Sequence, residues 1–345
     1  MYKSTKVLDI HAHVSAPMHG TPMLAFMLAS NTPLEIDPRS TLDFKLGLTE
    51  EGWEQSVGAH VRLLDDYNID AQLIGPRPFL MLGWMNHHLL PAWTRYVNNM
   101  IYKHVSLEPG RFVGAGQLPQ NADADDLSHC IPELDRCVEE LGFKAVYLSP
   151  DPTGDRRSPG MDKPYWYPVY DRCQKHGIPI IVHGTNCMDP RIDIVPHNYQ
   201  IGFVWEQYLA TQLLSHSDVF DRFPELKVVI CHCGGALDRF IKADKAHMSQ
   251  RDVSKNLFFD TNAPDLHFLE AAIKQKTPNN ICFGTEAPGS GGAIRPETGR
   301  PGDDLVPVIG GFDFLTEAQK VQIFHDNACH VCPGLGALGG AHNHG

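Results

Sequence analysis

The sequence predicts a (β/α)8 barrel of the TIM-like type, and three observations carry that fold class. Eight apolar runs of strand length recur along the chain, helical stretches separate them, and the long insertions follow strands. A doubly wound sheet satisfies the same alternation, because strand count alone does not close a barrel.

The runs lie at 7–10, 71–74, 112–117, 144–148, 178–182, 227–231, 257–260 and 281–283. Each is rich in β-branched and other apolar residues over a length too short for a helix. Between them, apolar residues recur at helical spacing over 53–68, 89–104, 125–141, 165–176, 203–215, 237–248 and 266–274. A last helix near 317–325 is announced by Thr316 with Gln319 three residues on, the spacing of a capping box. Insertions at 16–48, 151–164, 183–200 and 286–315 follow the first, fourth, fifth and eighth runs, where a barrel builds its pocket, and predict a deep, partly lidded site. No Ser/Gly linker divides the chain, so residues 1–345 read as one domain with a disordered tail over 334–345.

Bulk composition narrows the function. With 42% hydrophobic and 20% charged residues the 345-residue chain reads as a soluble globular protein, and its net charge of -12 argues against nucleic acid or an anionic membrane as partner. No apolar run reaches membrane-span length, and the first six residues lead into a strand without a signal-peptide core, so a cytoplasmic location is expected. Nine cysteines, an odd and scattered set, fit reduced thiols. Association into a homo-oligomer is expected for an acidic barrel of this size.

The chemistry concentrates at strand ends. His11 and His13 close the first run one residue apart, so strand alternation points both imidazoles to one side. In a chain with 19 histidines that pair alone could arise by chance; further strand-end ligands are what a catalytic zinc requires. His183 ends the fifth run ahead of Gly184, and His232 ends the sixth between Cys231 and Cys233, which face away from it as buried filler. Gly234 and Gly235 either admit a ligand to backbone N–H groups or serve tight packing of the turn. Glu286, in Gly284-Thr285-Glu286 after the eighth run, offers a carboxylate as anionic ligand or base.

Together these residues resemble the amidohydrolase superfamily, and His232-Cys233-Gly234-Gly235 with Phe283-Gly284-Thr285-Glu286 resembles its mononuclear lyase branch of aminocarboxymuconate-semialdehyde decarboxylase and related aromatic-acid enzymes. That branch generally ends its eighth strand on Asp; Glu286 with the loop after it is instead similar to the 4-oxalomesaconate hydratases. The resemblance implies that His11, His13, His183 and Glu286 hold one Zn2+, with His232 beside it. Mn2+, Fe2+ and Co2+ suit the same donors. It implies a hydro-lyase in protocatechuate 4,5-cleavage, with Glu286, His232 and Tyr199 handling protons. The implied substrate is a small tricarboxylate, which forked cations suit, and Arg77, Arg295 and Arg191 lie in loops at the matching end, with Asn198 as a hydrogen-bond donor. Decarboxylation of an aromatic or muconate-type acid is the alternative, followed by metallohydrolysis of an ester, lactone or amide, and from another class a non-catalytic binding barrel.

Other motifs carry no function. The G-x-G-x-x-G run 334–339 follows no strand, Cys329-x-x-Cys332 lacks a second pair, and His87-His88 reads as a helix cap.

Overall fold

In the computed structural model, described for residues 1–14, 49–185, 187–192, 194–195, 198–289 and 291–339 and leaving aside the side chains of Phe79, Asn198 and Tyr199, seven parallel strands form one curled sheet. They are β1 (Leu8–His13), β2 (Ala71–Gly75), β3 (Phe112–Gln117), β4 (Ala145–Leu148), β5 (Ile180–Val182), β6 (Val228–Ile230) and β7 (Leu257–Phe259), each paired with the next in sequence. Helices α1 (Glu50–Asp66), α2 (Leu90–Leu107), α3 (Ile131–Glu139), α4 (Tyr167–His176), α5 (Asn198–His216), α6 (Val219–Arg222) and α7 (Leu266–Lys276) run between or after the strands. A C-terminal set follows: α8 (Val306–Gly310), α9 (Glu317–Val321), α10 (Asn327–Val331) and α11 (Pro333–Gly339). The insertion at 16–48 lies outside the described residues, and no described helix is long and apolar enough to cross a membrane.

Strand alternation splits the core in two. Leu8, Ile10, Leu73, Ala115, Tyr147, Ile181, Val229 and Phe258 fill the concave side, while Ile74, Val146, Val182, Val228 and Phe259 pack outward against the helices. On β1 this parity changes midway. Asp9 pairs with Gln72 but Ala12 pairs with Ile74, so three residues of β1 advance against two of β2. Such a bulge re-aims the side chains beyond it. Without it, a strand that turns Leu8 and Ile10 inward would turn His11 and His13 outward.

The eighth predicted strand is replaced by an irregular segment. Only Ile281 forms a bridge, to Phe259; Cys282 N–H donates to Phe259 O (2.8 Å) and Ile10 N–H to Phe283 O (2.9 Å). Phe283 N–H turns away to Ile323 O (2.9 Å), which breaks the ladder, yet residues 281–286 still link β7 to β1.

Two further expectations are corrected. No helix spans 237–248: Asp244 accepts from Ala246 N–H (3.1 Å) and faces His247, local bonds that compete with a helix, and Ile241 is left exposed. The tail is ordered at its start, because α11 drives Leu335 into the base of the concave core beside Val331 and Cys332. The capping box forms at Thr316 and Gln319 as the spacing predicts. All nine cysteines are free thiols.

Candidate metal centre

The C-terminal ends of β1 and β5 and the segment 281–286 bring His11, His13, His183 and Glu286 together, with one ligand atom from each lying within 4.8 Å of the others. The three imidazoles are fully buried. Each is pinned through Nδ1: His11 to Asp260 Oδ2 (2.6 Å), His13 to Pro76 O (2.8 Å) and His183 to Gly184 O (2.6 Å). A carbonyl can only accept, so His13 and His183 carry their protons on Nδ1 and turn the lone pair of Nε2 to the centre. All three Nε2 atoms lack a hydrogen-bond partner among the described residues.

A buried polar atom without a partner costs about 1–3 kcal/mol. Three of them converging on one point is an arrangement a cation resolves. Burial lowers the pKa of all three histidines, to about 4 for His13 and His183, which favours the neutral ring that ligates. The donor set of three nitrogens and one carboxylate therefore fits a divalent first-row ion, its outer partners already holding each ring.

Glu286 uses its two oxygens differently. Oε1 faces His13 Nε2 (3.4 Å) and His183 Nε2 (3.7 Å), whereas Oε2 accepts from Asn262 Nδ2 (2.9 Å) and faces His232 Nε2 (3.6 Å). Burial would raise its pKa, but the facing histidines hold it well below the usual carboxylate range. His232 is pushed the other way: burial lowers its pKa, but the contact with Glu286 and the charges of Glu286 and Asp260 together outweigh that and leave it raised.

His232 sits on a turn, not in a strand. His232 (φ 52°), Cys233 (φ 56°), Gly234 (φ 81°) and Gly235 (φ 82°) are successively left-handed, and Glu286 (φ 63°) shares that strain. The turn is held by Cys233 N–H donating to Asp260 Oδ1 (2.9 Å), and the Gln207 amide lies 2.9–3.0 Å from His232 Nδ1. A cleft of about 440 Å³, lined by Gln200, Phe203, Asn262, Pro264 and Phe268 among others, opens onto His232 and Glu286.

The profile of the amidohydrolase family matches residues 8–331, from β1 to the end of α10. The chain belongs to that family. This amidohydrolase is 31% identical over 289 residues to the 2-keto-4-carboxy-3-hexenedioate hydratase of Sphingobium sp., covering 80% of this chain and 82% of that one. Among solved structures it is similar to 4-oxalomesaconate hydratase from Rhodopseudomonas palustris, with a TM-score of 0.81, 27% identity, and coverage of 96% of this chain and 97% of that one. A dihydroxybenzoic acid decarboxylase from Polaromonas sp. JS666, with bound manganese and 2-nitroresorcinol, shares the fold at a TM-score of 0.65 and 20% identity, over 99% of each chain. The curled parallel α/β sheet is thus that of the TIM-like amidohydrolases.

The arginines of this amidohydrolase separate sharply. Arg77 follows β2, is largely buried, donates from Nε to Val14 O (3.1 Å), and lies within the electrostatic reach of Glu286 and His13. Arg295 is buried and braces its loop, donating from Nη1 to Pro264 O (2.6 Å) and from Nη2 to Gly302 O (2.7 Å), while its Nε has no hydrogen-bond partner among the described residues. Arg191 is exposed and forks onto its neighbour Asp189. Asn198 and Tyr199 open α5, but their side chains lie outside the described residues.

Sequence reading missed the partners of the ligands. Asp260, one residue past β7, had a signal in that it ends an apolar run just as His183 does. Gln207 and Asn262 had none. Asp9, fully buried, accepts from Thr285 Oγ1 (2.6 Å), Gln72 Nε2 (2.8 Å) and His11 N–H (3.0 Å), which ties β1 to the Glu286 segment; burial pushes its pKa up to about 7.

Gly235 is needed for packing, since a Cβ there would stand 2.1 Å from Val204 O and 2.6 Å from Tyr208 N. Gly235→Ala is therefore expected to cost about 3 kcal/mol or more from clash and backbone strain, read as a lower denaturation midpoint. An unchanged midpoint would refute that role.

Proposed function

We propose that this amidohydrolase is a zinc-dependent hydratase that adds water to the conjugated double bond of 4-oxalomesaconate, forming 2-hydroxy-4-oxobutane-1,2,4-tricarboxylate in protocatechuate 4,5-cleavage. The observation that carries this reading is the divided Glu286 carboxylate, with one oxygen toward the ligand-ready His13 and His183 and the other toward His232 and the cleft. Similarity to two hydratases of keto tricarboxylates supports it.

The reaction places hydroxyl on the carboxyl-bearing alkene carbon, β to the keto group, and hydrogen on the carbon next to the keto group. One proton must leave water and one must reach carbon. His11, His13, His183 and Glu286 would hold a divalent cation, which when bound would supply Lewis acidity and lower the pKa of water toward about 7. Glu286 Oε2, held ionised, accepts the proton from water. His232, its Nδ1 fixed by Gln207, delivers a proton to the carbon from Nε2, and the 3.6 Å contact with Oε2 lets the pair re-equilibrate. Tyr199 is the other candidate donor. Arg77 offers the forked cation for a substrate carboxylate, and Asn198 a hydrogen bond. The same reading takes the chain as one TIM-like domain acting in the cytoplasm as a homo-oligomer.

Mass spectrometry of the product from zinc-loaded and metal-stripped protein with 4-oxalomesaconate tests the proposal. Gain of one water in the loaded sample alone is the expected result. Loss of carbon dioxide would transfer the protein to the decarboxylase alternative, and no change would overturn the substrate assignment.

A further inference from the structure

The crossover from β6 to β7 lacks its predicted helix, and the outer face of those strands is correspondingly open. A cavity of about 350 Å³ lies there, on the far side of the sheet from the metal centre, floored by Leu257 and Phe259 and walled by α5 and the end of α7. That volume is within the usual range for small-molecule sites, and the mixed apolar and polar lining is of the usual kind.

Lys276, the last residue of α7, reaches into this cavity with a side chain only 6% exposed. Its ammonium lies 4.9 Å from the Phe259 ring centre and 3.6 Å from Asp238 Oδ2, and no hydrogen bond satisfies it among the described residues. Asp238 turns Oδ2 to Lys276, while its Oδ1 accepts from Gln212 Nε2 (2.7 Å) and from Tyr208 Oη (3.3 Å). Lys242 stands on the rim with no hydrogen bond or ion pair among the described residues, and it adds a second positive charge. Arg251, also on the rim, is paired with Asp221; Asp252 is exposed and accepts from Ser254 N–H (3.0 Å). A mostly buried side chain thus carries an ammonium whose donors are open to the cavity, and an anion that enters can take up charge-assisted hydrogen bonds from it.

We propose that this cavity is a binding site for a small oxyanion, a carboxylate or phosphate group held by Lys276 and Lys242, with any hydrocarbon portion lying on Leu257 and Phe259. Burial lowers the Lys276 pKa more than the Asp238 charge raises it, so the free amine is more available to acylation than that of a surface lysine. Thr211, which lines the cavity, links it to the His232 turn: its Oγ1 lies within hydrogen-bond distance of Gln207 O (2.9 Å) and Gly234 O (3.3 Å).

The test is lysine-by-lysine acylation of the zinc-loaded protein by an acetyl ester, mapped by mass spectrometry, with succinate, inorganic phosphate or chloride at matched ionic strength. Exposed Lys3 and Lys163 serve as internal references. Saturable, several-fold slowing at Lys276 by succinate, with the references unchanged, is the expected result and identifies a carboxylate ligand. Slowing by phosphate alone identifies a phosphate ligand. If neither anion protects Lys276 beyond chloride, the proposal is overturned. Calorimetric binding of the protecting anion should be lost in Lys276→Met and weakened several-fold in Lys242→Ala, whose rim position spares the fold; binding unchanged in Lys242→Ala and in a folded Lys276→Met would also overturn it. The readout sits at the cavity, so it holds whatever reaction the metal centre performs.

Discussion

Glu286→Gln is expected to lower turnover by about 10²–10⁴-fold, the range set by loss of a positioned general base. Glutamine keeps the shape and an oxygen able to ligate, but it cannot take a proton from water. Metal content then separates the two duties assigned to this side chain. If the variant retains close to one ion per chain, the lost rate belongs to Oε2, which faces His232 and Asn262. If the ion is lost as well, the contribution of Oε1, the oxygen opposite His13 and His183, dominates. Turnover near that of the unaltered protein would remove Glu286 from the chemistry altogether.

The divided carboxylate could not be read from the sequence, although its owner could. His11, His13, His183, His232 and Glu286 each follow an apolar run, and that recurrence singles them out without any structure. What places them is less visible. The extra residue in β1 between Asp9 and Ala12 leaves no mark in the spacing of His11 and His13, yet it decides which side of the sheet they face. The left-handed turn at His232 is signalled only by Gly234 and Gly235, which an ordinary tight turn would explain equally.

Long-range partners are harder still. Gln207 reaches His232 from the middle of α5, on a helix whose spacing only announces burial. The helix expected over 237–248 fails because propensity and spacing ignore what Asp244 bonds to. Arg295, a cation in a loop at the same end of the sheet, gives two of its donors to backbone carbonyls, which its place in the sequence does not announce. Arg77, in the same class by sequence, is set apart only by where its burial puts it relative to Glu286.

Asp260→Asn is expected to weaken metal binding by about 10–100-fold, the usual consequence of removing an outer partner of a ligating imidazole. Asp260 is buried; burial alone would raise its pKa, but its contact with His11 dominates and keeps it ionised. It accepts from His11 Nδ1 through one oxygen and from Cys233 N–H and Asn262 N–H through the other. Asparagine keeps one acceptor but sets an NH2 group against one of those donors, so either the His11 ring or the His232 turn loses its anchor. A chelator titration reads the affinity directly. Loss at His11 appears as weaker binding with turnover restored at saturating metal, whereas loss at the turn leaves turnover low even when the site is filled. Affinity and saturated turnover both unchanged would show that His11 is oriented by the bulge of β1 alone.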